Sequence, residues 1–346
     1  MNIIHNKKHI IRLALAFGLL GFGQFVAAQE VEKSAPAGTG IYEAVINQAD
    51  GHIFVSSAGS RNNPGGALYK IDPTTLAIVD SIPMKENPPF GLGINNKTQV
   101  VYTTNTRSNS VSAVDLKSKK VLATFNAGGE KSHTREVLVD EDNNMVYVTN
   151  VGDPSDIWVI DGKTNKVVRT IDNVGKTTTA LAFNKKKDKL FATVMGTNEI
   201  AIIDIKSGQV EKSFASGGES PVNLVADGER LFVANQKSGT VTVLNAKTGE
   251  LLKSIPTGAG AIGITYDKKS NRIYSANRQT GTTTVIDAKS YEVLADLATG
   301  SHPNHVRVNP KTGVAYVINK TKGARPVEGQ PAPAPDTNGD TISKIK

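Results

Sequence analysis

Four arginines stand in polar, turn-rich stretches of the chain. They are Arg61 in Ser60-Arg61-Asn62-Asn63, Arg107 in Asn105-Thr106-Arg107, Arg135 in Lys131-Ser132-His133-Thr134-Arg135, and Arg278 in Asn277-Arg278-Gln279. A planar guanidinium fork donates in the geometry that carboxylate and phosphate oxygens accept. These residues, with Lys131, therefore read as a set that binds anions. Ser301-His302-Pro303-Asn304-His305 adds imidazole and amide donors, and His133 lies within the Arg135 stretch. His133, His302 and His305 carry the side-chain chemistry of metal ligands. They sit on different stems, with Pro303 inside the pair, and no carboxylate constellation completes a site. The expectation is loop histidines and no metal. Tyr42 and Phe90 are the aromatic candidates for stacking against a base.

Other chemistries lack their residues. There is no cysteine, which removes thiol nucleophiles, zinc-thiolate sites and disulfides. No serine nucleophile elbow, paired catalytic acids or H-E-x-x-H motif appears. Gly258-Ala259-Gly260-Ala261-Ile262-Gly263 fits the dinucleotide pattern but opens no helix, so the phosphate cradle is missing. Asp336-Thr337-Asn338-Gly339-Asp340 resembles the start of a calcium loop, but Thr341 stands where glycine is needed and no distal glutamate follows. The expectation is a non-enzymatic binding protein without a cofactor.

The elements that must position these residues are short strands. Met145 to Asn150 and Asp156 to Asp161 are two apolar, β-branched and aromatic runs separated by Val151-Gly152-Asp153-Pro154-Ser155, the pattern of adjacent strands around a turn. The unit recurs. Its second strand returns as Ile53 to Ser57, Val101 to Asn105, Leu190 to Val194, Leu231 to Asn235, Ile273 to Asn277 and Ala315 to Asn319. The polar ends of the third strands, Asp72, Asp115, Asp161, Asp204, Asn245 and Asp287, are spaced 41 to 46 residues apart. That is the period of a four-stranded propeller blade. Blades begin near Ile41, Phe90, Thr134, Thr179, Pro221, Ala261 and Asn304. The fold class is all-β, a seven-bladed β-propeller over residues 41–346 with four-stranded antiparallel blades, and Trp158, mid-strand, belongs to the core.

Tyr147-Val148-Thr149-Asn150 resembles the signature of the YVTN family of β-propeller repeats. Val285 to Val293, Ser301 to Asn304, Asn277-Arg278-Gln279, Arg135-Glu136 and Asp156 to Gly162 are similar in order to the periplasmic YncE-type branch of that family. The similarity covers nearly all of the chain after its N-terminal segment. It implies a periplasmic propeller able to bind DNA, with single strands as the expected form.

Strand alternation sorts the loops. Turns after the first and third strands of each blade share one face and are lysine-rich hairpins such as Lys206-Ser207-Gly208, the composition of a solvated surface. Turns after the second strand, and the links between blades, share the other face and carry the arginines. Function is expected there, since propellers bind where loops converge on the channel. Arg61, Arg107, Arg135 and Arg278 are the expected main cations, with Lys131, His133, His302, Asn304 and His305 beside them. Ion pairing with Glu130, Glu136, Asp153 or Glu219 is the competing fate of each arginine. A protein-interaction or small-ligand scaffold of the cell envelope, or more remotely a lactonase-like hydrolase, is the alternative function. The chain is expected to be a monomer.

The N-terminus carries Lys7, Lys8 and Arg12, an apolar run from Leu13 to Leu20, and Val26-Ala27-Ala28. This reads as a secretory signal peptide over residues 1–28, too short for a membrane span. Its removal takes the formal charge from +8 to +5 and places the protein in the periplasm or outside the cell. The last repeat supplies only three strands. Either Glu30-Val31-Glu32-Lys33, in the 29–40 segment, adds the fourth and closes the ring, or the last blade stays three-stranded. A Pro- and Gly-rich connection at 320–340 is read as a lid or a mobile loop.

Overall fold

Runs such as Val146-Tyr147-Val148 and Ile157-Trp158-Val159-Ile160 are apolar on both faces because both faces meet protein. In the computed structural model, which describes residues 29–60, 64–127, 133–184, 186–323 and 334–346, the strands form seven four-stranded antiparallel sheets. Seven apolar clusters lie between successive sheets, and Trp158 is fully buried in the one between blades 2 and 3. The first strands of the blades are Ile41–Ile46, Leu92–Asn95, Thr134–Asp140, Thr178–Phe183, Pro221–Ala226, Ala261–Asp267 and His302–Val308. Each touches the next, and the last touches the first. These seven strands are the wall of a central channel.

Blade 7 is closed from the other end of the chain. Val31–Pro36 pairs antiparallel with Thr341–Ile345 and is the outermost strand of the sheet. The Lys344 ammonium lies 3.2 Å from the Glu32 carboxylate across this seam. The N-terminal segment thus supplies the fourth strand, and a three-stranded last blade is ruled out.

The repeat signature has a mechanical meaning. In blade 3 the Thr149 hydroxyl accepts the Glu136 N–H at 2.9 Å and donates to the Thr179 carbonyl of blade 4 at 3.2 Å. Ser56 makes the same clasp from Glu43 N–H to the Phe90 carbonyl, and Thr104 makes it from Gly91 N–H to the Arg135 carbonyl. One hydroxyl thereby satisfies two buried backbone groups and ties neighbouring blades together. The asparagine that follows holds the turn beyond it. Asn105 donates to Ser110 and Ser112, Asn277 to Thr282 and Thr284, and Asn319 to Thr341 and Ser343. At the other end of the blade, Asp72, Asp115 and Asp287 accept backbone N–H groups of their own turns.

Six of the seven inner strands carry a register shift near the end that bears these clasps. Such bulges re-aim side chains. Close packing at this level leaves no room at two points: a Cβ on Gly91, just before the inner strand of blade 2, would collide with the Arg135 carbonyl, and one on Gly263 would lie 2.8 Å from the Asn304 carbonyl.

Candidate functional site

The clasped carbonyls belong to Phe90, Arg135 and Thr179, so the hydrogen bonds that join the blades also set the side chains at the channel mouth. Tyr42 and Phe90, on blades 1 and 2, meet edge to face with centroids 5.3 Å apart. Arg107, from the turn after the second strand of blade 2, lies 5.4 Å over the Phe90 ring and donates to the Ala58 carbonyl at 2.8 Å. Lys320, at the end of the second strand of blade 7, holds its ammonium 4.0 Å from the centre of the Tyr42 ring. Arg278, from the equivalent turn of blade 6, donates to the Asn304 side chain, which in turn donates to the Tyr42 carbonyl at 2.8 Å. Arg135 reaches from blade 3 to the Val222 carbonyl of blade 5 at 3.5 Å.

These cations feel one another. Burial, and then the Arg278 charge, push the Lys320 ammonium down to about 8, with Arg107 adding to the effect against the pull of Asp340 and Glu43. Burial also lowers Arg278, with Arg135 acting in the same direction and Tyr42 opposing. The Arg278 Nε is buried and has no hydrogen-bond partner among the described residues. Among the described residues, none of Arg107, Arg135, Arg278 and Lys320 has a carboxylate at salt-bridge distance. The acids expected to compete for them are engaged elsewhere: Asp153 pairs with Lys176 and Glu219 with Lys237, while Glu136 is buried in the channel wall. Arg278 and Lys320, half-buried and without a paired carboxylate among the described residues, attract an anion more strongly than the same groups on an open surface.

Beneath the mouth lies a second layer, of opposite sign. Glu43 and Glu136 occupy equivalent positions on the inner strands of blades 1 and 3, and both are buried. Burial, and then the Glu136 charge, push the Glu43 carboxyl up to about 8, although it accepts the Leu92 N–H at 3.0 Å. Burial likewise raises Glu136, with Arg307 and Arg135 opposing. His305 fills the same level of blade 7. Its Nδ1 accepts the Ala44 N–H at 3.2 Å, which leaves the proton on Nε2, and burial keeps the ring neutral.

The residues singled out from sequence therefore fall into three groups. Tyr42, Phe90, Arg107, Arg135, Arg278 and Asn304 are brought together at the mouth. His302, the first residue of the inner strand of blade 7, is close enough for Arg278, Lys322 and Lys320 to lower its imidazole further after burial has done so. His133 lies on the exposed link into blade 3, where partial desolvation and then the Arg135 charge lower its imidazole, while His305 is enclosed at the joint of blades 7 and 1. No three His, Asp or Glu residues among those described are grouped to hold a metal. Arg61, Lys131 and Glu130, and the proline-rich part of the 320–340 connection at 324–333, lie outside the described residues, as does the 1–28 segment. Asp336 and Asp340, from the calcium-like string, serve as anchors: Asp336 accepts from Ser301 and from the Lys322 N–H, and Asp340 from the Gly40 N–H at 2.9 Å.

Sequence reasoning passed over Lys320, Glu43 and Glu136 as site residues. Lys320 follows the recurrent Asn319, which is the one signal that could have placed it beside Arg107 and Arg278, each two residues past the same asparagine or one. The glutamates follow the blade-start residues Tyr42 and Arg135, but nothing local says that they share a channel.

Comparison with known proteins agrees with this architecture. A sequence model described as YNCE-like beta-propeller matches residues 40–269. The chain is 32% identical to the uncharacterized protein YncE of Salmonella typhi, over 78% of this chain and 80% of the relative. It is 30% identical to the uncharacterized protein YncE of Escherichia coli, over 74% and 76%. A seven-bladed beta-propeller protein of Mycobacterium tuberculosis is 24% identical over 68% and 67%. Among solved structures, a chain of Kuenenia stuttgartiensis hydrazine synthase superposes with a TM-score of 0.68 at 19% identity, covering 81% of this chain and 92% of that one, a likeness of fold alone. By the family match and by relatives at this identity over most of their length, the chain belongs to the YncE-like family of seven-bladed β-propellers.

Proposed function

We propose that the protein is an exported, non-enzymatic binding protein that takes up an anionic polymer, single-stranded DNA in the first instance, at the cationic channel mouth. What carries this reading is the convergence of Arg107, Arg135, Arg278 and Lys320 from four blades with no carboxylate of the described residues within pairing distance. Phosphate oxygens would replace the missing counter-charge, with Arg278 and Arg107 as forked donors and Lys320 as a point charge. His133, His302 and His305 are the further candidates, and Arg61 and Lys131 remain candidates by sequence alone. Tyr42 and Phe90 each have a cation over the ring, so a base stacks on them only by displacing Lys320 or Arg107. Binding is then led by phosphate rather than by stacking, and sequence preference is weak.

The test is a titration of a fluorescent single-stranded oligonucleotide over a range of salt. The logarithm of affinity should fall linearly with the logarithm of salt, with a slope of about −0.7 per phosphate engaged. Arg107→Gln and Arg278→Gln should each flatten that slope by about 0.7. Binding that ignores salt, or that survives both changes in one protein, rejects the reading and favours an envelope scaffold.

A further inference from the structure

The channel has a second opening, on the face of the lysine-rich hairpins, and its chemistry differs from that of the mouth. The far halves of four inner strands enclose a funnel of about 310 Å³. Blade 1 contributes Val45 and Ile46, blade 2 Leu92 and Ile94, blade 3 Val137 to Val139, and blade 7 Arg307 and Val308. Ile94, Leu138, Val139 and Val308 are only partly buried there, so the apolar wall remains open to a ligand.

Among the described residues, Arg307 is the one charged side chain in this lining. Among the described residues no hydrogen bond or ion pair engages its guanidinium. It acts at longer range on Glu43, Glu136 and His305, which lie deeper in the channel. The rim is already tied together: the Gln48 N–H donates to the Asn96 side chain at 2.8 Å, and Lys311 donates to the Gln48 carbonyl at 2.5 Å. A guanidinium with all its donors free, at the end of an apolar-walled funnel, calls for a ligand with one anionic head and an apolar body. A nucleic-acid backbone does not fit, because it presents charge at every unit and the funnel answers only one.

We propose that this funnel is a second binding site, for small monocarboxylates with an apolar tail, with the carboxylate on Arg307 and the tail against Ile94, Leu138, Val139 and Val308. At ~30 Å³ for each water-sized group, the volume accepts roughly ten non-hydrogen atoms. The site is separate from the proposed nucleic-acid mouth and does not depend on it.

Isothermal titration of the intact propeller with hexanoate tests this, with hexanol and hexylammonium as probes of the same tail. Hexanoate should saturate, and the other two should bind at least about tenfold more weakly, the difference expected for one charge-assisted hydrogen-bond pair. Arg307→Gln should weaken hexanoate by about the same factor, while the oligonucleotide titration of the same variant stays as in the wild type and reports that the mouth is intact. Failure of hexanoate to saturate, equal binding of the three probes to the wild-type protein, or full hexanoate affinity in Arg307→Gln overturns the proposal. The comparison of probes on the wild-type protein holds whether or not the variant folds.

Discussion

The Lys320 ammonium rests 4.0 Å from the centre of the Tyr42 ring, and that ring belongs to a strand on the neighbouring blade. The negative face of the phenol replaces part of the hydration that Lys320 loses, but it supplies no proton acceptor and no full negative charge. Arg278 and Arg107 stand on the same side. The result is an amine whose protonation depends on what else enters the mouth.

Affinity for an anionic ligand should therefore fall as pH rises through about 8, where Lys320 loses its proton. An anion favours the charged form, so binding should raise the Lys320 pKa and take up protons in that window. Oligonucleotide affinity measured at constant ionic strength on either side of pH 8 checks this. Lys320→Met should bind more weakly below that pH and remove the dependence; a Lys320→Met profile identical to the wild type would contradict it.

Glu43 provides a second pH dependence, of stability. Its folded pKa of about 8 lies above the unfolded value of ~4.3, so the folded protein binds more protons across that window. The contribution is complete below the unfolded pKa and is lost as pH rises through the folded one. The thermal midpoint should fall from mildly acidic to mildly alkaline pH. Glu43→Gln keeps an acceptor for the Leu92 N–H and removes the charge, and should flatten the curve. Calorimetry of both proteins across the window decides it, and a midpoint that rises with pH in the same way in both would refute the assignment.

The clasp made by Thr149 predicts a local cost far from any ligand. Thr149→Val preserves shape but strands the Glu136 N–H and the Thr179 carbonyl, both in the buried inner wall. The loss should be about 3 kcal/mol for two unsatisfied groups, read by urea denaturation with an unchanged m-value. A loss below about 0.5 kcal/mol would show that the hydroxyl is dispensable.

Removal of residues 29–36 deletes the outermost strand of blade 7 and exposes Thr341–Ile345 as an edge. The shortened chain should melt earlier and self-associate with increasing concentration, because an unpaired edge strand templates pairing with another chain. Size-exclusion chromatography at two concentrations distinguishes this from a harmless truncation.

The amino-acid sequence by itself determined the wheel. The recurrence of Thr149-Asn150 and its counterparts needs no distant partner to be recognised, since each pair acts within its own blade and on the next. Strand alternation then assigned Arg107 and Arg278 to one face, and the same count showed blade 7 one strand short, leaving open whether the N-terminus supplied it. What alternation could not supply was radial depth. Arg107 and His133 lie exposed on their turn and link while His305 is enclosed, and a period of two along a strand distinguishes faces, not distance from the axis. Only closure of the ring brought Glu43 beside Glu136 and set Lys320 over Tyr42. Those contacts join residues far apart in the chain, and their energies come from desolvation and from charges on other blades. Neither quantity exists until the seven sheets surround a common channel.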